Sequence, residues 1–116
     1  MKLIIAGSRD YHPSLEEINT AIAEMAITPT EVVCGEARGA DTAGRKWAEA
    51  KGLRVESFPA NWNQYGRAAG MRRNVDMAKY GDALLVFIKN NSPGSINMVN
   101  CMSRYPSKKC HIVFVT

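Results

Sequence analysis

The densest group of chemically versatile residues lies at positions 35–41, which read GEARGAD. The apolar residues 32–34 before it are typical of a strand end, and the apolar spacing through residues 43–50 predicts a helix after it. Gly35 and Gly39 permit the backbone to approach a ligand closely, and a helix N-terminus offers free N–H groups with partial positive charge. The segment therefore predicts a turn that binds an anion.

A simpler interpretation of the same segment is purely structural. Asp41 then caps the helix, and Arg38 is its exposed neighbour. Asp41 alone fits this interpretation, but two glycines and an arginine are more than a cap requires. Glu36 and Asp41 are also the carboxylates of this glycine-built loop, so both are candidate catalytic groups.

The first loop of the chain carries residues of the same kind. Gly7 permits close backbone approach, Ser8 supplies a hydroxyl, and Arg9 supplies a planar fork of donors suited to phosphate or carboxylate. Ser14, followed three residues later by Glu17, is a capping-box signature, which predicts that a helix begins there.

Aromatic and amide-rich residues occupy the third loop. Trp62 and Tyr65 could stack on a base. Arg72, Arg73 and Asn74 open the next helix, from which they could reach phosphate or sugar. For Trp62 a second interpretation stays open, in which the indole covers the core.

Small residues precede the last predicted helix. Ser92, Gly94 and Ser95 suit ligand binding at a helix N-terminus, although Ser95 alone is also explained as a cap. Together the four loops combine glycines, hydroxyls, arginines and amides. That collection matches a phosphate-bearing ligand with a ring.

The elements that must position these loops alternate between strands and helices. Short runs rich in Val, Ile and Phe predict five strands, at residues 2–6, 31–34, 54–58, 82–88 and 110–116. Apolar residues at helical spacing predict four helices, within residues 15–25, 43–50, 71–78 and 98–105. The alternation indicates an α/β fold, a Rossmann-like three-layer sandwich with helices on both faces of a roughly five-stranded parallel sheet. Loops that follow parallel strands emerge at one edge of the sheet, where open α/β folds bind ligands.

Length and composition set further limits. Residues 1–116 are expected to form a single domain. The net charge of +4, from 15 basic and 11 acidic residues, favours an anionic partner without identifying it. No apolar run is long enough to span a bilayer and no signal peptide is evident, so we expect a cytoplasmic protein with no membrane partner. Cys34, Cys101 and Cys110 are expected to be buried reduced thiols, and no metal site is expected.

Five segments resemble, in order, the YspA-like branch of the SLOG superfamily. They are residues 7–10 (GSRD), 34–41 (CGEARGAD), 58–62 (FPANW), 70–74 (GMRRN) and 92–95 (SPGS). The resemblance covers nearly the whole chain. It implies a Rossmann-like fold that binds nucleotides or nucleotide-derived molecules, in a superfamily that includes the Lonely Guy phosphoribohydrolases and the DNA-processing protein A. Members of the YspA-like branch are largely assigned as sensors or processors of such ligands, often in phage and bacterial conflict settings.

The related phosphoribohydrolases use an arginine and a glutamate to cleave the bond between base and ribose. Residues 73–77 (RNVDM) resemble the helix motif that carries the arginine, so the resemblance makes Arg73 a candidate catalytic residue. Asn97 stands where the glutamate would be. An amide cannot take up a proton as a carboxylate does, so chemistry of that type loses its main group here.

Three hypotheses follow. The first is binding of a nucleotide or nucleotide derivative, in which the glycine and serine loops hold phosphate and the arginines add charge. Asn74 and Asp41 would then meet ribose hydroxyls, and Trp62 or Tyr65 would cover the base. The second is N-glycosidic or phosphoester hydrolysis of a nucleotide with a substituted acid or base. The third is binding of single-stranded nucleic acid, which is disfavoured because the basic residues are scattered among acidic ones.

A homodimer is a further candidate, because members of the superfamily often pair through helices near the site. Met98 and Met102 could form the contact face, although their helical spacing is more typical of a core. The expected partners are therefore a small nucleotide ligand and a second copy of the chain.

Overall fold

The computed structural model describes all 116 residues, which form five strands, five α-helices and one 3₁₀ turn. The strands are β1 (Lys2–Gly7), β2 (Glu31–Cys34), β3 (Arg54–Ser57), β4 (Ala83–Lys89) and β5 (Lys109–Val115). The helices are α1 (Leu15–Met25), α2 (Ala40–Ala50), α3 (Trp62–Tyr65), α4 (Ala69–Tyr80) and α5 (Pro93–Met102), and the 3₁₀ turn is Gly66–Ala68. Each predicted strand is confirmed to within one residue at either end. None of the helices has the length and apolar content needed to cross a lipid bilayer.

The strands form one parallel sheet in the order β3-β2-β1-β4-β5, which confirms the expected α/β sandwich. From β1 the chain adds β2 and β3 on one side, then returns to add β4 and β5 on the other. The ends of β1 and β4 therefore lie side by side, with Gly7 paired to Phe87, and their connections leave in opposite directions. Such a switch point leaves a crevice at the carboxyl ends of the strands.

Two apolar cores lie on opposite faces of the sheet. Helices α1 and α2 cover one face, where Leu3, Ile18 and Trp47 are buried. Helices α4 and α5 cover the other face, where Ile4 and Met77 are buried. Side chains of a strand alternate between faces, and burial on both faces explains why β1 reads as a continuous apolar run.

Some side chains differ in exposure from the expectation. Met98 and Met102 are 1% and 2% exposed, so they belong to the core and do not form a contact face. Cys34 and Cys101 are buried free thiols, as expected. The expected burial of Cys110 is wrong, because this residue lies on β5, an edge strand with a neighbour on one side only.

The start of α1 confirms the predicted capping box. Ser14 Oγ accepts a hydrogen bond from the Glu17 N–H at 3.1 Å, and the Ser14 N–H donates to Glu17 Oε1 at 3.2 Å. Two N–H groups that the first turn leaves without helical partners are thereby satisfied.

Helix α4 is present, but its predicted apolar face of Met71, Val75 and Ala78 is only partly right. Ala78 is buried, whereas Met71 and Val75 are 58% and 43% exposed. The buried face carries Asn74 and Met77 beside Ala78. Apolar spacing alone assigns Asn74 to the solvent side, so a polar residue in the buried stripe hides the true periodicity.

Two further elements differ from the predictions. The last helix ends at Met102 rather than Tyr105, because Tyr105 precedes Pro106 and helical geometry is disfavoured before a proline. The apolar pattern does not predict α3, since this single turn has no buried residue and therefore no periodicity. The residue in the sequence that indicates α3 is its N-cap, Asn61. The Asn61 side-chain oxygen accepts from the Gln64 N–H at 3.1 Å.

Gly44 lies inside α2 where this helix packs on β1. A Cβ atom there would lie 2.7 Å from Ile5 Cγ2 and 2.8 Å from Ile5 Cβ. We expect Gly44→Ala to lower the free energy of unfolding by about 1–3 kcal/mol, measured by urea denaturation. Overpacking of this kind outweighs the roughly 1 kcal/mol by which alanine is the better helix former.

Gly94→Ala is the matched control for Gly44→Ala. A Cβ atom at Gly94, in the first turn of α5, meets no other atom within 4 Å, so the Gly94→Ala protein should be as stable as the parent or more stable by up to roughly 1 kcal/mol. A Gly44→Ala protein as stable as the parent would contradict the tight contact between α2 and β1.

Candidate functional site

Two adjoining clefts open at the carboxyl edge of the sheet. The larger, of about 770 Å³, lies over the switch point between β1 and β4, and the smaller, of about 370 Å³, lies over the ends of β2 and β3. Arg9, Trp62 and Arg73 line both clefts. The predicted ligand-binding residues that line one cleft or the other are Gly7, Arg9, Gly35, Arg38, Asp41, Trp62, Arg73, Asn74, Ser92, Gly94 and Ser95.

Ser8 and Gly39 lie behind the cleft wall instead. Ser8 is 1% exposed, and its Oγ accepts from the Lys89 N–H at 2.8 Å and donates to the Lys89 carbonyl at 3.2 Å. This hydroxyl ties the end of β1 to the end of β4 and has no second proton to offer a ligand. Gly39 has φ +75°, and a Cβ atom there would collide with the Ser8 carbonyl oxygen and lie 2.7 Å from that of Arg9. Glycine is therefore required here for contact between two loops.

Asp41 lies in the first turn of α2 and is 5% exposed. The helix is capped at Gly39 without a side-chain hydrogen bond, so the interpretation of Asp41 as a simple cap is wrong. Its Oδ2 accepts from the Ala37 N–H at 3.3 Å across the turn. Burial raises the pKa of the Asp41 carboxyl, against the opposing effects of the Arg73 guanidinium and the N–H groups of Ala37 and Gly35.

Arg73 joins three of the segments that form the clefts. Its Nη1 donates to the carbonyl oxygens of Gly35 and Phe58, the latter at 3.5 Å, and its Nε donates to Asn74 Oδ1 at 3.0 Å. A Cβ atom on residue 35 would lie 2.5 Å from Nη1, so only glycine leaves room for this guanidinium. Burial lowers the pKa of Arg73, and the nearby Asp41 carboxylate opposes that effect.

Asn74 continues the network toward α5. It is 6% exposed, and its Nδ2 donates to the Gly94 carbonyl at 3.3 Å and to Asn97 Oδ1 at 2.9 Å. Both amide protons of Asn74 are therefore used within the protein. A contact between Asn74 and a ribose hydroxyl, as expected from the sequence, would use the second lone pair of Oδ1, which accepts only from Arg73 Nε within the protein.

The start of α5 presents backbone N–H groups to the larger cleft. The helix is capped at Ser92, so the interpretation of Ser95 as the cap is wrong. The two serine Oγ atoms lie 3.1 Å apart, and Ser95 is 3% exposed. The N–H groups of Gly94 and Ser95 make no hydrogen bond within the protein.

Trp62 is the aromatic residue that faces the site. It is 52% exposed and lines both clefts, so the interpretation in which it covers the core is wrong. Tyr65 lines neither cleft, and the Arg72 guanidinium lies 4.1 Å from its ring centroid. Only the first of the two aromatic candidates can therefore cover a bound base.

The cations around the clefts fall into two groups. Arg73 is held by the hydrogen bonds described above, whereas Arg9, Arg38 and Arg67 make no side-chain hydrogen bond or ion pair. Glu36, the second candidate carboxylate, lines the smaller cleft and pairs with Arg45 at 3.4 Å near the solvent. No cluster of three or more His, Cys, Asp or Glu side chains could hold a metal ion.

The larger cleft is also lined by residues that the sequence pattern does not assign to ligand binding. Three of them are Arg67, Lys89 and Asn97. Lys89 is the last residue of β4, so the rule that ligands bind at strand ends could have found it. Asn97 lies two residues after Ser95, and the sequence resemblance marked its position as that of a catalytic glutamate but did not assign it to ligand binding.

A model of the YspA, cpYpsA-related SLOG family matches residues 1–65. The chain belongs to this family. The Gene 61 protein of Mycobacterium phage D29 is 33% identical over an alignment of length 104, and the match covers 81% of this chain and 82% of that protein. No solved structure matches the chain.

The resemblance noted in the sequence is thereby confirmed. Family membership suggests a function in binding or processing nucleotide-related molecules. In this SLOG-family protein the matched residues 1–65 include the loops after β1, β2 and β3. Arg73, Asn74 and Asn97 lie beyond that match, and their place in the site rests on the geometry of α4 and α5.

The raised pKa of Asp41 has a consequence for stability. The folded protein binds the Asp41 proton more tightly than the unfolded chain does. In the unfolded chain the Asp41 carboxyl has its ordinary pKa of 3.8. This contribution to stability is fully present below pH 3.8. It is lost as the pH rises through the raised pKa that Asp41 has in the folded protein. We therefore expect the free energy of unfolding of the parent to fall with rising pH relative to that of Asp41→Asn, whose amide does not titrate.

Urea denaturation of both proteins between about pH 3 and pH 7 measures this difference. Asp76→Asn is the control, because it makes the same chemical change at an exposed residue of α4 outside both clefts. Stability curves that run parallel for Asp41→Asn and the parent would contradict the raised pKa.

Proposed function

We propose that this protein binds a nucleotide or a nucleotide-derived ligand in the two joined clefts. The observation that carries the proposal is a group of three unpaired arginines, Arg9, Arg38 and Arg67, beside the half-exposed indole of Trp62. Unpaired guanidinium groups on a concave surface attract phosphate, and an exposed indole offers a face to a base. Family membership supports the same class of ligand.

The larger cleft is the better place for phosphate. The free N–H groups of Gly94 and Ser95 lie at the positive end of α5 and line this cleft. Arg9 and Arg67 line it as well and add positive charge. Donors from the backbone and from guanidinium groups thus converge on one volume, as recognition of an anion requires.

The base and the sugar have their own candidate contacts. Trp62 lines both clefts, so a base stacked on its ring would lie near their boundary. Asp41 lines the larger cleft and can accept a hydrogen bond from a ribose hydroxyl. The volumes of about 770 and 370 Å³ are of the size that small-molecule sites have. The cytoplasmic location and the homodimer expected from the sequence stay predictions.

Removal of the Arg38 guanidinium should weaken nucleotide binding more than it lowers stability, because this side chain is exposed and has no partner in the protein. Mass spectrometry first identifies small molecules released when the purified protein is denatured. Each of these, and the four ribonucleoside 5′-mono- and triphosphates, is then titrated against the parent and Arg38→Ala by thermal shift and calorimetry. We expect the variant to lose about tenfold or more in affinity, as for a charge-assisted hydrogen bond.

Arg104→Ala is the matched control, because Arg104 is exposed, lines neither cleft and carries the same charge. It should bind as the parent does. Equal affinities of Arg38→Ala and the parent would remove Arg38 from the site. If no molecule copurifies and none of the titrated nucleotides binds, the proposal itself fails for this class of ligand.

One observation favours a second candidate function, hydrolysis of the nucleotide. Asp41 is a buried carboxyl with a raised pKa on the wall of the larger cleft, and such a group can act as a general acid. If this function holds, incubation with the same nucleotides should release free base, ribose phosphate or another product, detected by chromatography. Asp41→Asn should abolish the release, and absence of any product from the parent would exclude this function for those nucleotides.

A further inference from the structure

A guanidinium sets the direction of the hydrogen bonds that run from α4 to α5. Arg73 Nε can only donate, so the Asn74 atom 3.0 Å from it must be the oxygen. The Asn74 nitrogen then points the other way and donates to the Gly94 carbonyl and to Asn97. An asparagine amide is often ambiguous in orientation, but here the arginine on one side and the backbone carbonyl on the other leave one assignment.

The same reasoning fixes the orientation of the Asn97 amide. Because Asn74 Nδ2 donates to it at 2.9 Å, the atom of Asn97 that faces Asn74 is the oxygen. The Cys101 thiol lies 3.8 Å from that same oxygen and donates to it. The Asn97 nitrogen is therefore the atom turned away from the network.

The Asn97 nitrogen has no hydrogen-bond partner in the protein, yet it is not a buried unsatisfied group. It must therefore be accessible, and the residue lines the larger cleft. Two donor protons without a partner in the protein thus belong to a residue on the wall of the larger cleft.

The geometry points to Asn97 as a specificity-determining residue of the ligand site, whose Nδ2 group donates a hydrogen bond to an oxygen acceptor of the ligand. This inference rests on the proposed function. It adds one contact and states that the ligand group at this contact is a hydrogen-bond acceptor. The site selects for an acceptor oxygen at this position, of a phosphate, a sugar or a base carbonyl, and against a donor. Gly94 and Ser95, whose free N–H groups lie within one turn of Asn97, add donors to the same wall.

Asn97→Asp tests the inference with little change of shape. The aspartate still offers Asn74 an oxygen acceptor, so the network and the fold should be retained, which urea denaturation checks. On the cleft side the change replaces a donor with an acceptor that carries negative charge. Asn100→Asp is the matched control, because it makes the same chemical change at an exposed position of the same helix.

The probes are inorganic phosphate, the four ribonucleosides and the four ribonucleoside 5′-monophosphates. Binding is followed in the ¹⁵N-labelled parent by the side-chain amide resonances of Asn97, which are assigned by their absence from the spectrum of Asn97→Asp. Calorimetry gives the affinities of the parent and both variants. We expect a binding probe to shift the Asn97 resonances, Asn97→Asp to lose about tenfold or more in affinity, and Asn100→Asp to match the parent.

The three kinds of probe distinguish which oxygen of the ligand Asn97 contacts, and whether it contacts the ligand at all. A shift caused by inorganic phosphate identifies a phosphate oxygen as the acceptor, whereas a shift caused by nucleosides alone identifies a sugar or base oxygen. If a monophosphate binds the parent but leaves the Asn97 resonances unmoved and Asn97→Asp binds equally well, the inference is overturned while the proposed function stands. If no probe binds the parent, both are overturned for these ligands.

Discussion

The site depends on the hydrogen bonds of the half-buried Arg73 guanidinium. Moving a guanidinium out of water is costly, and the cost is offset only where its N–H groups find acceptors. Arg73 finds them in the carbonyls of Gly35 and Phe58 and in the side chain of Asn74. These acceptors belong to the β2 loop, the β3 loop and α4, so one side chain connects α4 to the two loops that follow β2 and β3.

This constraint changes the meaning of the glycine-rich loop after β2. Such a loop suggests a backbone wrapped around phosphate, but here the space that the glycines leave is filled by the protein. Gly35 makes room for Arg73, and Gly39 makes room for the carbonyls of Ser8 and Arg9. The glycines therefore bring the loops together, and the groups left to meet a ligand are the unpaired side chains and the N–H groups at the start of α5.

The fold could be predicted from the sequence because it depends on local patterns. Burial of β1 and β4 on both faces produces apolar runs that are visible in a few consecutive residues. The roles of individual polar residues depend on partners far along the chain, as with Ser8 and Lys89, 81 positions apart, or Arg73 and Gly35, 38 positions apart. Sequence reasoning therefore located the edge that carries the clefts. The sequence does not show which polar groups face the ligand and which bond within the protein. Because Asn74 is polar yet buried, the apolar pattern also predicted part of the buried face of α4 wrongly.

The same network favours binding over catalysis. The sequence resemblance places Asn97 at the position of the phosphoribohydrolase glutamate, and here its oxygen accepts from Asn74 while its nitrogen has no partner in the protein. Asp41 is the remaining buried carboxylate of the site, but backbone N–H groups already hold it and Arg73 lies near it. The larger cleft is lined by one exposed carboxylate, Asp10, and by the cations Arg9, Arg67 and Lys89, so positive donors outnumber the free carboxylate. A site of that character holds an anionic, acceptor-rich molecule well.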